Sequence, residues 1–104
     1  METVNKVILK GKISGLRKIR VKDNEVARFV LRTQYVNRCN DSSIRVETEW
    51  HNIVVWNTDD LYDVLYNGKT VELDGRLRYT KYVSSEGIDK VIAEIVVSKL
   101  VSVE

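Results

Sequence analysis

Hydrophobic residues in this chain recur mostly at every second position, in runs separated by short clusters of Gly, Asn, Asp and Ser. A period of two places alternate side chains on opposite faces of an extended backbone, so each run reads as a strand with one face in a core. Residues 4–13 (VNKVILKGKI) are rich in β-formers and interrupted by Gly11, with Gly15 just beyond, which predicts a long bent strand. Residues 17–21 alternate, Lys22, Asp23 and Asn24 supply a turn, and in residues 25–36 Ala27, Phe29, Leu31 and Thr33 share one face. Those two runs predict a hairpin. Residues 38–43 (RCNDSS) read as a polar loop, and residues 45–56 as a third strand that ends in the fully apolar run IVVW.

The period then changes. Asn57 or Thr58 can cap a short helix whose first turn carries Asp59 and Asp60, favourable beside the positive end of its dipole. Leu61, Val64 and Leu65 fall on one side of it, and Gly68 ends it. Residues 69–83 alternate again, with Val71, Leu73, Leu77 and Tyr79 set against charged residues, and Ser84 to Gly87 form a turn. The last strand, residues 89–103, is apolar on both faces: Val91, Ala93, Ile95 and Val97 on one, Ile92, Val96 and Leu100 on the other. One of those faces calls for cover beyond the chain's own core. Five strands with one short helix between the third and fourth is the plan of an all-β OB-fold, a partly open barrel whose strands 2 and 3 and long loops bind oligonucleotides.

At 104 residues, with no Pro-, Gly- or Ser-rich linker, the chain is the size of one domain with a thin core that gains from a partner subunit. Its single cysteine, Cys39, has no internal disulfide partner, and one Cys with one His (His51) makes no metal set; no cofactor is implied. These features point to a reducing, cytoplasmic setting, and no apolar stretch is long enough for a membrane-spanning helix. The net charge of +2 hides an asymmetry. Residues 1–56 carry 11 Lys and Arg against 6 Asp and Glu, whereas residues 57–104 carry 6 against 9. Seven basic residues and no acidic one lie between Lys6 and Lys22, a pattern equally suited to a phosphate backbone or to a solvated strand face.

One short word carries more information than the periodicity. ETEWHNIVVW at residues 47–56 resembles the third strand of the bacterial single-stranded DNA-binding protein family, with its TEWH core. VNKVIL at residues 4–9, Val26-Ala27, GRLR at residues 75–78 and EGID with EIVV between residues 86 and 97 resemble family motifs in family order. The resemblance covers nearly the whole chain. It implies an OB barrel, single-stranded DNA of any sequence as ligand, and self-assembly, usually as a homotetramer, with a dimer the other possibility. The expected role is protection of single strands in DNA replication, recombination or repair, in a nucleoid-associated place in the cytoplasm and without catalysis. Family members of the housekeeping type continue into a polar tail with an acidic tip; the sequence stops at Glu104, which puts tail-mediated recruitment of other enzymes in doubt. A primosomal or accessory protein of the same fold, which mainly bridges replication proteins, stays open as the alternative.

By the same resemblance, the base-stacking aromatics fall on Trp50, Trp56 and Tyr82, the last where tryptophan is more usual. A further family tryptophan is matched by Asn37, which leaves Tyr35 as the nearest aromatic, and Tyr79 is a further candidate. Between Trp56 and Gly68 the chain is shorter than typical members. Lys6, Arg32, Arg78 and Lys81 are the candidate phosphate contacts, and Val4, Ile8 and His51 the candidate subunit-interface residues. Spacing alone reads differently, because Trp50 and Trp56 lie an even number apart and aromatic residues at period two are most often core. Tyr62 and Tyr66 read as helix-face packing. His51 lacks a Ser, Cys or second His for a catalytic relay, and of Asp59, Asp60 and Asp63, which invite a metal, the first two are better explained by a helix N-terminus.

Overall fold

In a computed structural model the chain is a closed barrel, described for residues 2–56 and 65–103. It contains strands β1 (Val7–Val21), β2 (Asn24–Arg38), β3 (Ile44–Trp56), β4 (Thr70–Val83) and β5 (Asp89–Ser102). Their order around the barrel is β1-β2-β3-β5-β4, all neighbours antiparallel except β3 and β5. The parallel seam is short, pairing Ile53 with Ile95 and Val54 with Val96. Of the expected helix, residues 57–64 lie outside the described residues. Leu65, the last of its apolar positions, is buried in the core, and Gly68 turns the chain at a φ of 92°. Among the described residues there is no helix long and apolar enough to cross a membrane.

The core is the inward face of the alternating runs. Ala27, Phe29 and Leu31 of β2 meet Val55, Ile53 and His51 of β3 in register, and Val71, Leu73, Ile13, Ile95 and Leu100 complete the packing. The face expected on β2 is the face that is buried. On β1 and β5, however, strict alternation fails. Gly15 and Leu16 together oppose only Phe29, so β1 carries a bulge. Ile13 and Leu16 both pack on the core despite opposite parity. Gly15 holds a φ of +61°, a conformation that costs a residue with a Cβ, and the Leu16 amide donates to Asn67 Oδ1 at 2.9 Å. On β5, Lys99 pairs with Asp74 and Val97 with Gly75, leaving Ser98 as the extra residue. Its hydroxyl donates to the Asp74 carbonyl at 3.1 Å. This bulge brings Ile95 and Leu100 to one face, where simple alternation had put them on two.

β1 closes two sheets at once. Residues 7–12 pair with β4, and from Lys12 onward the strand pairs with β2. At the changeover the backbones crowd: a Cβ built on Gly11 would lie 2.1 Å from the Arg32 carbonyl oxygen. Just before β1, Asn5 acts as a substitute backbone unit, its Nδ2 donating to the Leu77 carbonyl at 2.8 Å while its Oδ1 accepts the Leu77 amide at 2.9 Å.

Two hairpins run past the barrel, where both faces of their strands are exposed: the β2–β3 hairpin beyond Gln34 and Trp50, and the β4–β5 hairpin beyond Tyr79 and Val91. Asp41 ties the first turn, accepting the Ser43 hydroxyl at 2.6 Å and the Ser43 amide at 3.0 Å, and these bonds hold its carboxyl below the ordinary range.

Gly11→Ala forces a methyl group onto a carbonyl oxygen and is expected to lower stability by about 1–3 kcal/mol, the usual cost of overpacking. Urea denaturation of the two proteins measures it; an unchanged midpoint would mean that β1 moves freely away from β2.

Candidate nucleic-acid interface

Because opposed residues of an antiparallel pair point to the same side, the register assigns a face to each candidate residue. On β2 and β3 the inward set is Ala27, Phe29 and Leu31 with Val55, Ile53 and His51; the opposite face carries Arg28, Val30 and Arg32 with Val54, Asn52 and Trp50, of which Val54 is buried. Lys12 of β1 pairs with Arg32, and Arg32 with Trp50, so these three form one outward row across three adjacent strands. Together with Ile13, Ser14 and Gly68 they line a recess of about 190 Å³. A flat ring with cations along one side of it on a continuous sheet is the combination that nonspecific single-strand binding uses: a π-face for any base, positive charge for the phosphates.

Trp50 is 59% exposed and Trp56 42% exposed, so the core reading that their spacing favours fails for both. They share the outward parity of β3, separated by Asn52 and Val54. Tyr82, 47% exposed, lies opposite Lys90 on the β4–β5 hairpin and shares a side with Thr80 and Arg78. Next to Trp50, on the flank that faces β5, a second groove is lined by Asn52, Leu77, Ile92, Ala93 and Ile95.

The other candidates are placed elsewhere. Tyr35 is exposed on the opposite side of β2 from Arg32 and faces Glu47 across the hairpin, with Asn37 two positions on beside Arg45. Tyr79 and Lys81 share a side of β4, opposite Ala93 and Val91, and that side is the reverse of the one carrying Tyr82. Lys6 is exposed beside Asn5 and lines a shallow groove with Asp74 and Arg76. His51 points inward at the barrel rim, where its Nε2 is 2.9 Å from Thr33 Oγ1. Val4 and Ile8 are exposed; Ile8 lies by Glu72, Asp74, Lys99 and Val101. Cys39 is a free thiol in the β2–β3 turn region. Among the described residues no group of three His, Cys, Asp or Glu is placed to hold a metal; Asp59, Asp60, Asp63 and Tyr62 lie outside them.

Arg78 is not a free cation. Its Nε donates to Glu94 Oε1 at 3.0 Å, with a second bond from its Nη2, while Thr80 Oγ1 donates to the same oxygen at 3.0 Å. Arg28 reaches Glu94 Oε2 from the other side at 3.0 Å. The Glu94 side chain is 3% exposed, those of Arg28 and Arg78 40% and 33%. Burial alone would push the Glu94 carboxyl up, but the bonds from Arg78, Thr80 and Arg28 outweigh it and hold the group below its ordinary value of 4.5. Sequence reading passed over Glu94 and Arg28, and gave Lys12 only as one member of the basic run between Lys6 and Lys22. The parity of Phe29 and Leu31 was enough to turn Arg28 outward, but only the strand register brings Lys12 to Trp50 and Arg28 to Glu94.

Residues 4–103 match the model of the single-strand binding protein family. The chain belongs to this family. Single-stranded DNA-binding proteins of Xanthomonas axonopodis pv. citri and Bacteroides thetaiotaomicron are similar to it at 29% and 32% identity over 93% and 94% of the chain. The chain spans 56% and 65% of those two relatives' lengths. Among solved structures, a Plasmodium falciparum SSB complex with ssDNA matches with a TM-score of 0.87 at 29% identity, covering 100% of this chain and 98% of that one. The single-stranded DNA-binding protein of Thermus aquaticus shares the fold, with a TM-score of 0.80 at 16% identity over 97% of this chain and 51% of that one.

The depressed Glu94 carboxyl fixes a sign for acid stability. Its stabilising contribution is fully present above about pH 4.5 and is lost as pH falls through the lower folded value. Glu94→Gln is therefore expected to flatten the loss of thermal stability below pH 4.5 relative to wild type, measured by circular dichroism melts between pH 7 and 3; parallel curves would contradict the assignment.

Proposed function

We propose that this protein coats single-stranded DNA without regard to sequence, stacking bases on Trp50, Trp56 and Tyr82 and meeting phosphates with Lys12, Arg32 and their neighbours. The observation that carries the reading is the outward row Lys12, Arg32, Trp50, in which an exposed indole on β3 has Arg32 beside it on β2 and Lys12 beyond that on β1. Membership in the single-strand binding family supports it, as does the likeness to a chain solved with single-stranded DNA. Each stacked base is worth about 1–3 kcal/mol, so the three rings supply several kcal/mol before charge is counted. Such binding needs no chemical step: it shields the bases, opposes re-pairing and is reversed by dissociation. Tyr35, Tyr79 and Lys81, on the reverse faces of the two hairpins, serve a strand that wraps around a hairpin rather than one lying flat across the barrel.

The protein acts as an oligomer in this reading, a homotetramer or a dimer. Support comes from the exposed apolar residues Val4, Ile8 and Val101. The edge of β1 over residues 7–11 that faces away from β4 also has no strand partner among the described residues. An open edge beside apolar side chains is a template for strand pairing with a second copy.

Trp50→Ala is expected to weaken binding to oligo(dT) by at least about fivefold, the lower end of the value of one stacked base, and to remove most of the intrinsic fluorescence quenching seen with wild type. Titration in parallel with duplex DNA tests selectivity. Duplex-indifferent binding without quenching would overturn the coating function and favour a protein-bridging one. Light scattering at micromolar concentration is expected to report a multiple of the 12.0 kDa chain mass; a strictly monomeric mass would overturn self-assembly.

A further inference from the structure

The cluster around Glu94 presents a puzzle of charge. A carboxylate on the outward face of the sheet, in the same parity class as Trp50, opposes the polyanion that this face is proposed to bind. Yet its side chain is 3% exposed, while the side chains of the two arginines bonded to it are 40% and 33% exposed. A ligand approaching this face meets the arginines, not the acid.

The surroundings sharpen the picture. Arg28 lies two outward positions along β2 from Arg32, at about 7 Å per two residues, so it continues the line of cations that starts beside Trp50. Arg17 of β1 is paired opposite Arg28 and is exposed, and both line a recess with Asn52, Ile92 and Glu94. Three arginines and one glutamate leave a local charge of about +2. The carboxylate has Arg28 on one oxygen and Arg78 and Thr80 on the other, so its acceptor capacity is filled from within the chain. Each guanidinium carries five N–H donors in a fixed plane, and the bonds to Glu94 occupy one of the nitrogens of Arg28 and two of Arg78. Donors remain on both arginines for a further acceptor. Long cationic side chains otherwise lose about 2 kcal/mol of rotamer freedom when they are ordered on a ligand; a buried carboxylate that fixes the guanidinium planes beforehand removes much of that cost.

We propose that Glu94 is a positioning residue for DNA binding: from beneath, it holds Arg28 and Arg78 so that, with Arg17, they form a preassembled site for one phosphate of the strand lying across Trp50. The site rests on the single-strand-binding function proposed above. It makes a counter-intuitive statement, that deleting a negative charge from the DNA-facing side weakens DNA binding.

The test is oligo(dT) titration by tryptophan fluorescence across a range of salt, with wild type, Glu94→Gln, Arg28→Gln and Trp50→Ala, and thermal melts of each to verify folding. Glu94→Gln is expected to weaken binding by several-fold and to make the log–log salt slope shallower by about 0.7, one phosphate contact of a single strand. Arg28→Gln, which leaves Glu94 paired with Arg78, is expected to give the same change in slope, and it carries the test alone if Glu94→Gln does not fold. An equal or steeper slope with equal or tighter binding in Glu94→Gln would overturn the proposal, because the acid would then only mask the arginines. A lowered melting temperature with an unchanged slope in both variants would also overturn it, leaving a purely structural ion cluster. Either result, with Trp50-dependent quenching intact, leaves the coating function standing; a wild type that neither quenches nor selects single strands removes that function and the phosphate site with it.

Discussion

Barrel closure through the two-pair parallel seam between β3 and β5 is the constraint on which the rest of this molecule depends. Five strands supply enough inward positions for one thin core, and Ile53, Ile95 and their neighbours fill it. A sheet that curls this tightly cannot keep regular alternation on every strand. The bulges at Gly15 and Ser98 absorb the mismatch, each adding one residue so that side chains on both sides of it still face inward. Gly11 meets the same demand at the point where β1 leaves β4 for β2, since any side chain there would strike the Arg32 carbonyl. The Arg28–Glu94–Arg78 cluster spans the same region from outside, tying β2 and β4 to β5 beside the seam.

Closure also creates the surface proposed to bind single strands. With Ile13, Leu31 and Ile53 committed to the interior, the outward row of β1, β2 and β3 is left for Lys12, Arg32 and Trp50, and the strand register places the exposed indole beside its cations. Preorganisation of this kind lowers the entropy lost on binding a flexible strand. Past the barrel the strands no longer cover one another, and both faces of each hairpin are open, which explains why aromatic residues of opposite parity, Tyr79 and Tyr82, are both exposed.

Legibility in the sequence tracked the regularity of each strand. β2 has no interruption between Ala27 and Leu31, so period two identified its buried face correctly. β5 defeated the same rule: Ile95 and Leu100 have opposite parity and were assigned to different faces, whereas the Ser98 bulge turns both inward. The two-faced strand is thus in part a one-faced strand with a bulge, although Val91 and Val101 remain exposed. Periodicity alone would have buried Trp50 and Trp56; the TEWH word, not the spacing, pointed to their exposure. The β2–β3 hairpin shows the limit of matching by nearest neighbour, since Tyr35 lies on the reverse face from Arg32 and Trp50. Charge run and phosphate contact were also not the same thing: Arg78 reads as a free cation in sequence and is spent in part on Glu94, a partner sixteen residues away.

The central claim is that the outward face of β1, β2 and β3 is the surface that takes single-stranded DNA, and amide and indole resonance shifts on titration with oligo(dT) test it most directly. The account predicts that the Trp50 and Trp56 indoles and the amides of Lys12, Arg32 and Asn52 shift together and saturate at one stoichiometry, while inward residues such as Phe29 and Leu73 stay in place. Shifts confined to the reverse hairpin faces around Tyr35, Glu47 and Tyr79, with the Trp50 indole unmoved, would contradict it.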